Sequence, residues 1–386
     1  MGSDVRVVVI GAGVVGAAVA VGLAERGAEV TVLEAVRPGA GTTGTSFAWV
    51  NSANKEPEHY HALNHAGVRA HHAFAGERAP WFFPTGNLEW AVTDRHRSAL
   101  AARMERLHGR DYPARWLTAR QAQELEPDLA VPGDDADYAF FPEEGHALPL
   151  VLLARLLGEA RDRGVQVRAG SAVVGVDRTG AGAVVTSVDG VRHPADVVVS
   201  CSGRRTDGMA RWAGIDVPLV DANRAGSAAV GFLATTEPVA VRLSRVLTGS
   251  RLGVRPEGGG RLLLQGLDLD ARADPGRPVD GAVAAELLVR LAEVLPATAG
   301  VPMAALRIGQ RVLPADGLTV AGFSDRDAWF YVVATHSGIT LAPLLRRLVA
   351  DEVFGEESAL LTPFRPGRFR DGAGAVAQPA RQPGEQ

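Results

Sequence analysis

The chain has 386 residues, enough for two packed units, and its 46% hydrophobic and 22% charged residues are those of a folded protein with a large core. A formal net charge of −4, with no long run of basic residues, offers no field for nucleic acid, and none is expected as a partner. The single cysteine, Cys201, excludes an intrachain disulfide and suits a reducing cytoplasm, the expected location.

Residues 7–24, VVVIGAGVVGAAVAVGLA, carry no charge, as a membrane segment would. Three glycines at regular spacing, with Glu25, Glu29 and Glu34 just beyond, point instead to a buried strand and a tightly packed helix, so no membrane span is expected. Val7 to Ile10 is a β-branched run suited to a parallel strand covered on both faces. It leads into Gly11, Gly13 and Gly16 at G-x-G-x-x-G spacing. Gly11 serves a tight turn, Gly13 lets backbone approach a pyrophosphate, and Gly16 lets the next helix pack close. That helix is expected from Val14 to Arg26, with Gly27 as its stop; its free N–H groups, at Val14 and Val15, face an anion. A second strand, Glu29 to Leu33, ends at Glu34, where a carboxylate accepts from ribose hydroxyls and repels a 2′-phosphate; Ala35 joins the same contact. The order points to a dinucleotide, FAD or NAD.

Further along come GAGTTGTSFAWVNS, ADVVVSCSG, RIGQRVLPADGLTVAG and FYVVATHSGITLAPLL. Together these segments resemble the D-amino-acid oxidase, glycine oxidase and sarcosine oxidase group of flavoproteins, including the bacterial D-amino-acid dehydrogenases. The resemblance implies FAD. It places Thr42, Thr43 and Ser46 at the pyrophosphate and beside the flavin, Val173 at the adenine, and Gly203 at a second nucleotide-contacting turn. It places Gly338, Ile339 and Thr340 at the flavin N1/O2 edge, where reduction leaves negative charge that a helix N-terminus stabilises. That helix is expected to open at about Leu341. His336 is expected to act through its backbone, and Cys201 to be a buried, inert thiol. Sarcosine oxidases carry a cysteine where this chain reads Gly309-Gln310-Arg311-Val312, and no histidine lies in residues 35–55, so the FAD is expected to be non-covalent.

The implied fold class is α/β, a Rossmann-like FAD-binding domain (1–80, 140–215 and 305–365) interleaved with an α+β, antiparallel-sheet substrate domain (81–139 and 216–304). Residues 366–386 are expected to be a flexible tail. Strands are expected at Asn87 to Val92, Ser227 to Ala234 and Arg261 to Leu267, and helices at Pro57 to Phe74, Thr118 to Leu125, Leu150 to Arg163 and Val283 to Leu295. His59, His61, His65, His71 and His72 are expected on a solvated helix face rather than around a metal.

The chemistry that the resemblance implies is oxidation of a C–N bond in an amino acid or N-substituted glycine to an imine, with dioxygen or another acceptor reoxidising the flavin. Arg311, before the Asp316-Gly317 turn, is the expected substrate carboxylate anchor. A guanidinium grips a carboxylate with two charged hydrogen bonds. Arg307 is expected at the surface. Residues 216–304 hold no tyrosine, where the family usually places substrate tyrosines, so Arg251 or Arg255 is a candidate contact to an acidic substrate, the alternative being a solvated strand face. Trp49 either lines the flavin's substrate face or packs in the core. A flavin monooxygenase, a 2-hydroxy-acid oxidoreductase and a non-catalytic flavoprotein remain open alternatives.

Overall fold

The computed structural model describes residues 5–76, 79–180, 182–324 and 328–370. Its first strand, β1 (Arg6–Ile10), pairs in parallel with β2 (Glu29–Leu33) on one side and with Val197–Ser200 on the other. The resulting six-stranded sheet runs, in order, Val320–Phe323, Phe330–Ala334, Val197–Ser200, β1, β2, Gln166–Arg168. The uninterrupted apolar run of β1 has a direct cause: Val7 and Val9 pack on helices, whereas Val8 and Ile10 pack against Val176 and Val185 of a three-stranded antiparallel sheet. Helix α1 (Val14–Glu25) and the C-terminal helix Gly338–Val353 make up much of the helical side. Their backbones come so close that a Cβ on Gly22 would overlap the Arg346 carbonyl.

A second, eight-stranded sheet is largely antiparallel. It runs Met303–Gln310, Val230–Thr236, Arg261–Gln265, Gly253–Gly258, Val246–Thr248, Asn87–Ala91, Asp137–Phe141, Arg115–Leu117. Its core of Phe232, Leu264, Leu287, Leu291 and neighbours is separate from that of the nucleotide sheet. The domain cuts expected after residues 139 and 304 therefore fall inside strands, because Asp137–Phe141 and Met303–Gln310 both complete this sheet.

Other differences have similarly local reasons. Helix Asp94–His108 was not among the expected elements. Its sequence is rich in Arg, and only Leu100, Met104 and Leu107 reveal its buried stripe, with Thr93 capping it through His96 N–H. Pro366–Phe369, expected in the tail, form a short 3-10 turn whose Phe369 is buried and whose Arg368 pairs with Asp316 at 2.7 Å. Residues 371–386 lie outside the described residues. The histidine helix, α2 (Glu58–Ala75), is not simply solvated. His61 and His71 are buried and bond backbone carbonyls, while His59 and His72 face outward. No helix among the described residues is long and apolar enough to cross a membrane.

Candidate active site

A cavity of about 260 Å³ lies over the C-terminal ends of β1 and β2, where a doubly wound sheet holds its ligand. Gly11, Gly13, Val14, Val15, Glu34 and Ala35 line one stretch of it, and Thr42, Thr43, Ser46, Val173, Gly203, Gly338 and Ile339 complete it. Gly11 sits at φ +104, and a Cβ there would come within 2.6 Å of the Cys201 oxygen. Gly16 does not line the cavity. A Cβ on it would overlap the Gly11 carbonyl, so its role is the close helix–strand approach. Gly13 has no side chain to cap α1, and Thr43 Oγ1 takes that part by accepting from Val14 N–H at 3.1 Å. Glu34 accepts from the N–H of Ala12 and of Val36, each at 2.9 Å, so one carboxylate also ties the glycine turn to the end of β2.

The electrostatics suit a diphosphate. The N-termini of α1 and of the C-terminal helix both open onto the cavity, Arg204 and Arg205 line it, and Glu34 is its one acidic side chain among the described residues. Arg204 was not anticipated, although it directly follows the Gly203 turn. Cys201 lies against the Gly11–Gly16 turn, and burial pushes its thiol up to about 12, which leaves it protonated and inert.

Beyond the first turn of the C-terminal helix is a smaller polar chamber, lined by Phe47, Trp49, Lys55, Gln265, Arg311 and Thr340 among others. The helix opens at Gly338, three residues before the expected Leu341, so Gly338, Ile339 and Thr340 form its first turn. Ile339 lines both cavities. Thr340 lies on the chamber side, with its hydroxyl 3.5 Å from the Trp49 carbonyl. His336 also borders both spaces.

Arg311 follows the end of strand Met303–Gln310 and reaches the chamber. Its guanidinium is already braced. Nη1 donates to the carbonyls of Val230 and Ala228, and Nη2 donates to Asp270 at 2.8 Å. These contacts use three of five N–H donors, leaving Nε–H and one on Nη2 for a ligand. Gly231 makes the brace possible, since any Cβ there would overlap both Arg311 and Asp270.

Arg255 is corrected from substrate contact to wall support. It is fully buried, lines neither cavity, and donates to the Phe47 carbonyl while its guanidinium carbon sits 5.7 Å from the Phe47 ring centroid. Nor is it on a solvated face. Arg251 is on the surface, paired with Glu286 at 2.7 Å, and Arg307 is exposed.

Lys55, Gln265 and Glu144 escaped the sequence reading. Lys55 had a signal: it is the only lysine in the chain, and it is 5% exposed. Glu144 is fully buried behind the chamber wall. It accepts from Trp49 Nε1 at 2.9 Å, Ser52 N–H at 3.0 Å, Ala53 N–H at 2.8 Å and Tyr112 Oη at 3.2 Å. One carboxylate thereby fixes the segment that carries Trp49 and Lys55. Burial raises its pKa to about 7, against the opposing pull of the Ala53, Ser52 and Tyr112 donors. A raised carboxyl pKa stabilises the fold below about pH 4.5, and that contribution is lost as pH climbs through about 7. Urea unfolding of wild type and Glu144→Gln should show their stability margin shrinking by about 3 kcal/mol over that window, from a shift of about 1.4 kcal/mol per pKa unit. A margin that stays constant would mean that Glu144 is ionised throughout.

Fold, cavity and adjoining chamber suit a dinucleotide-binding protein with a second small-molecule space beside the first. The chain belongs to the DAO family, described as FAD dependent oxidoreductase, whose family model matches residues 6–352. It is 26% identical to glycine oxidase of Geobacillus kaustophilus (strain HTA426) over 374 residues, covering 93% of this chain and 95% of that protein. It is 24% identical to a subunit of the opine oxidase of Agrobacterium tumefaciens (strain Ach5), covering 95% and 98%. The crystal structure of glycine oxidase from Geobacillus kaustophilus matches with a TM-score of 0.82 at 25% identity, over 95% of this chain and 99% of that one. Iminodiacetate oxidase from Chelativorans sp. BNC1 matches in fold with a TM-score of 0.78 at 20% identity, over 94% and 99%.

Proposed function

We propose that this enzyme oxidises a C–N bond in a small amino acid or N-substituted glycine to the imine, which water hydrolyses to an oxo acid and an amine or ammonia. The observation that carries the reading is the charge of the chamber: Lys55 and Arg311 line it, and no carboxylate among the described residues does. A substrate carboxylate would take the remaining Arg311 donors, with the Lys55 ammonium as a second cation. Related proteins named for oxidation of glycine, opines and iminodiacetate agree with such a substrate. The FAD, bound non-covalently, would be held by Gly11, Gly13, Glu34, Thr42, Thr43 and the first turn of the C-terminal helix, with Val173 at the adenine. When bound, FAD supplies the acceptor for the two electrons that leave with the Cα–H bond; dioxygen or another acceptor then takes them on. The chain's own residues fix the carboxylate, wall off water with Phe47 and Trp49, and hold a helix N-terminus at the junction of the two spaces. The lone, inert Cys201 is compatible with a cytoplasmic setting.

Product analysis tests this. Incubation with N-substituted glycines, D- and L-amino acids and 2-hydroxy acids should give one oxo acid and one amine per electron pair for an amine class. Oxo acid from hydroxy acids alone would transfer the reading to C–O oxidation.

A further inference from the structure

The C-terminal helix Gly338–Val353 contains a proline at its sixth residue, Pro343. Proline has no N–H, so the carbonyl of Ile339, four residues earlier, loses the partner a regular helix gives it. Ile339 is buried, and an unpaired buried carbonyl is costly. Nε2 of His71, on α2, lies 2.7 Å from that oxygen. Burial holds the His71 pKa down to about 4, so the ring is uncharged at neutral pH and, with its proton on Nε2, donates to the carbonyl. Its Nδ1 has no hydrogen-bond partner among the described residues, which leaves the Nε2 bond as the ring's one polar anchor there.

Two further contacts come from the same face of α2. Tyr60 Oη lies 2.9 Å from Ser337 Oγ, at the helix cap. Gly67 passes so close that a Cβ on it would sit 2.8 Å from the Thr340 oxygen. Positions 60, 67 and 71 are spaced by seven and four, one stripe of a helix. The turn they hold presents Gly338 and Ile339 to the cofactor cavity and Thr340 to the chamber.

We propose that His71 is a positioning residue for the flavin site: it supplies the N–H that Pro343 lacks and thereby fixes the helix turn whose free backbone N–H groups serve an anion in the cofactor cavity. Without that bond the first turn loosens, and its donors no longer converge on one place. The inference rests on membership of the flavin-dependent family and stands whichever substrate the enzyme oxidises.

Sulfite is the probe. It adds reversibly to oxidised flavin, leaves negative charge on it and bleaches the yellow band, so its dissociation constant reports anion stabilisation without turnover. In the FAD-loaded enzyme, His71→Ala should raise that constant about tenfold, the effect of losing roughly one hydrogen bond. Adding Pro343→Ala to the same chain returns a backbone donor to Ile339 and should restore the constant to within about threefold of wild type. His71→Gln, which keeps an N–H donor, should stay close to wild type. An unchanged constant in His71→Ala overturns the proposal, as does a rise that Pro343→Ala fails to reverse. Should His71→Ala alone not retain FAD, the double variant decides: recovery of FAD and of sulfite binding supports the proposal, and a double variant as impaired as the single one refutes it.

Discussion

Arg311→Ala is expected to raise KM for carboxylate substrates by on the order of 10²-fold or more, because two charged hydrogen bonds of ~1.5–3 kcal/mol each are lost. Flavin content should not change, since Arg311 lines the chamber and not the cofactor cavity. The brace complicates the experiment in a defined way. Removing Arg311 strands Asp270, which is about nine-tenths buried, without its cation. Asp270 retains one donor, the Phe232 N–H at 2.9 Å. The double variant Arg311→Ala/Asp270→Asn removes the stranded charge and should recover thermal stability while KM stays high. Arg311→Lys should remain defective, because an ammonium cannot both hold Asp270 and present a fork to a carboxylate. Unaltered KM in all three variants would show that the carboxylate is held elsewhere, with Lys55 the next residue to replace.

Gly16→Ala is the second large effect. Its Cβ would overlap the Gly11 carbonyl and press on Cys201, whose Cβ lies 3.3 Å away, so the Gly11–Gly16 turn must shift. Overpacking of this kind costs ~1–3 kcal/mol or more, and here it falls on the turn proposed to hold FAD, so FAD affinity should drop by up to about 10²-fold and the protein should purify largely colourless. Gly22→Ala provides the contrast. Its Cβ would overlap the Arg346 carbonyl on the far side of α1, away from the cavity. That variant should melt at lower temperature yet still bind FAD when folded. Loss of colour from Gly22→Ala, with retention in Gly16→Ala, would reverse the roles given to the two glycines.

The contrast also shows what a sequence can carry. Gly16 is legible because the spacing Gly11, Gly13, Gly16 recurs in dinucleotide-binding βαβ units, whereas Gly22 sits in no motif and owes its place to a helix more than 300 residues away. The cofactor half reads well for that reason: its strand, turn, helix and terminal Glu34 are consecutive in the chain. The chamber is different. Lys55, Gln265 and Arg311 arrive from three distant segments: Lys55 lies just before α2, Gln265 ends one strand of the eight-stranded sheet and Arg311 follows the end of another. Arg255 misled because an arginine in a strand resembles a solvated or ligand-facing residue; Glu257 is a nearby partner on the same strand, but nothing local says that Phe47, 208 positions away, will enclose it. Glu144, between Glu143 and Gly145, looks like a turn residue. Its importance depends on Trp49, Ser52, Ala53 and Tyr112, all at least 32 positions away. His71 and Pro343 belong to the same class, a donor and a missing donor separated by most of the chain.

The most direct test of the central claim is the visible spectrum of the purified enzyme under anaerobic conditions during titration with amino acids and N-substituted glycines. The yellow flavin band should bleach stoichiometrically with one class of these carboxylate-bearing amines, and with no addition of NADH. A band that no amine bleaches, but that NADH bleaches readily, would contradict C–N oxidation and mark the chamber as the site of a different reaction.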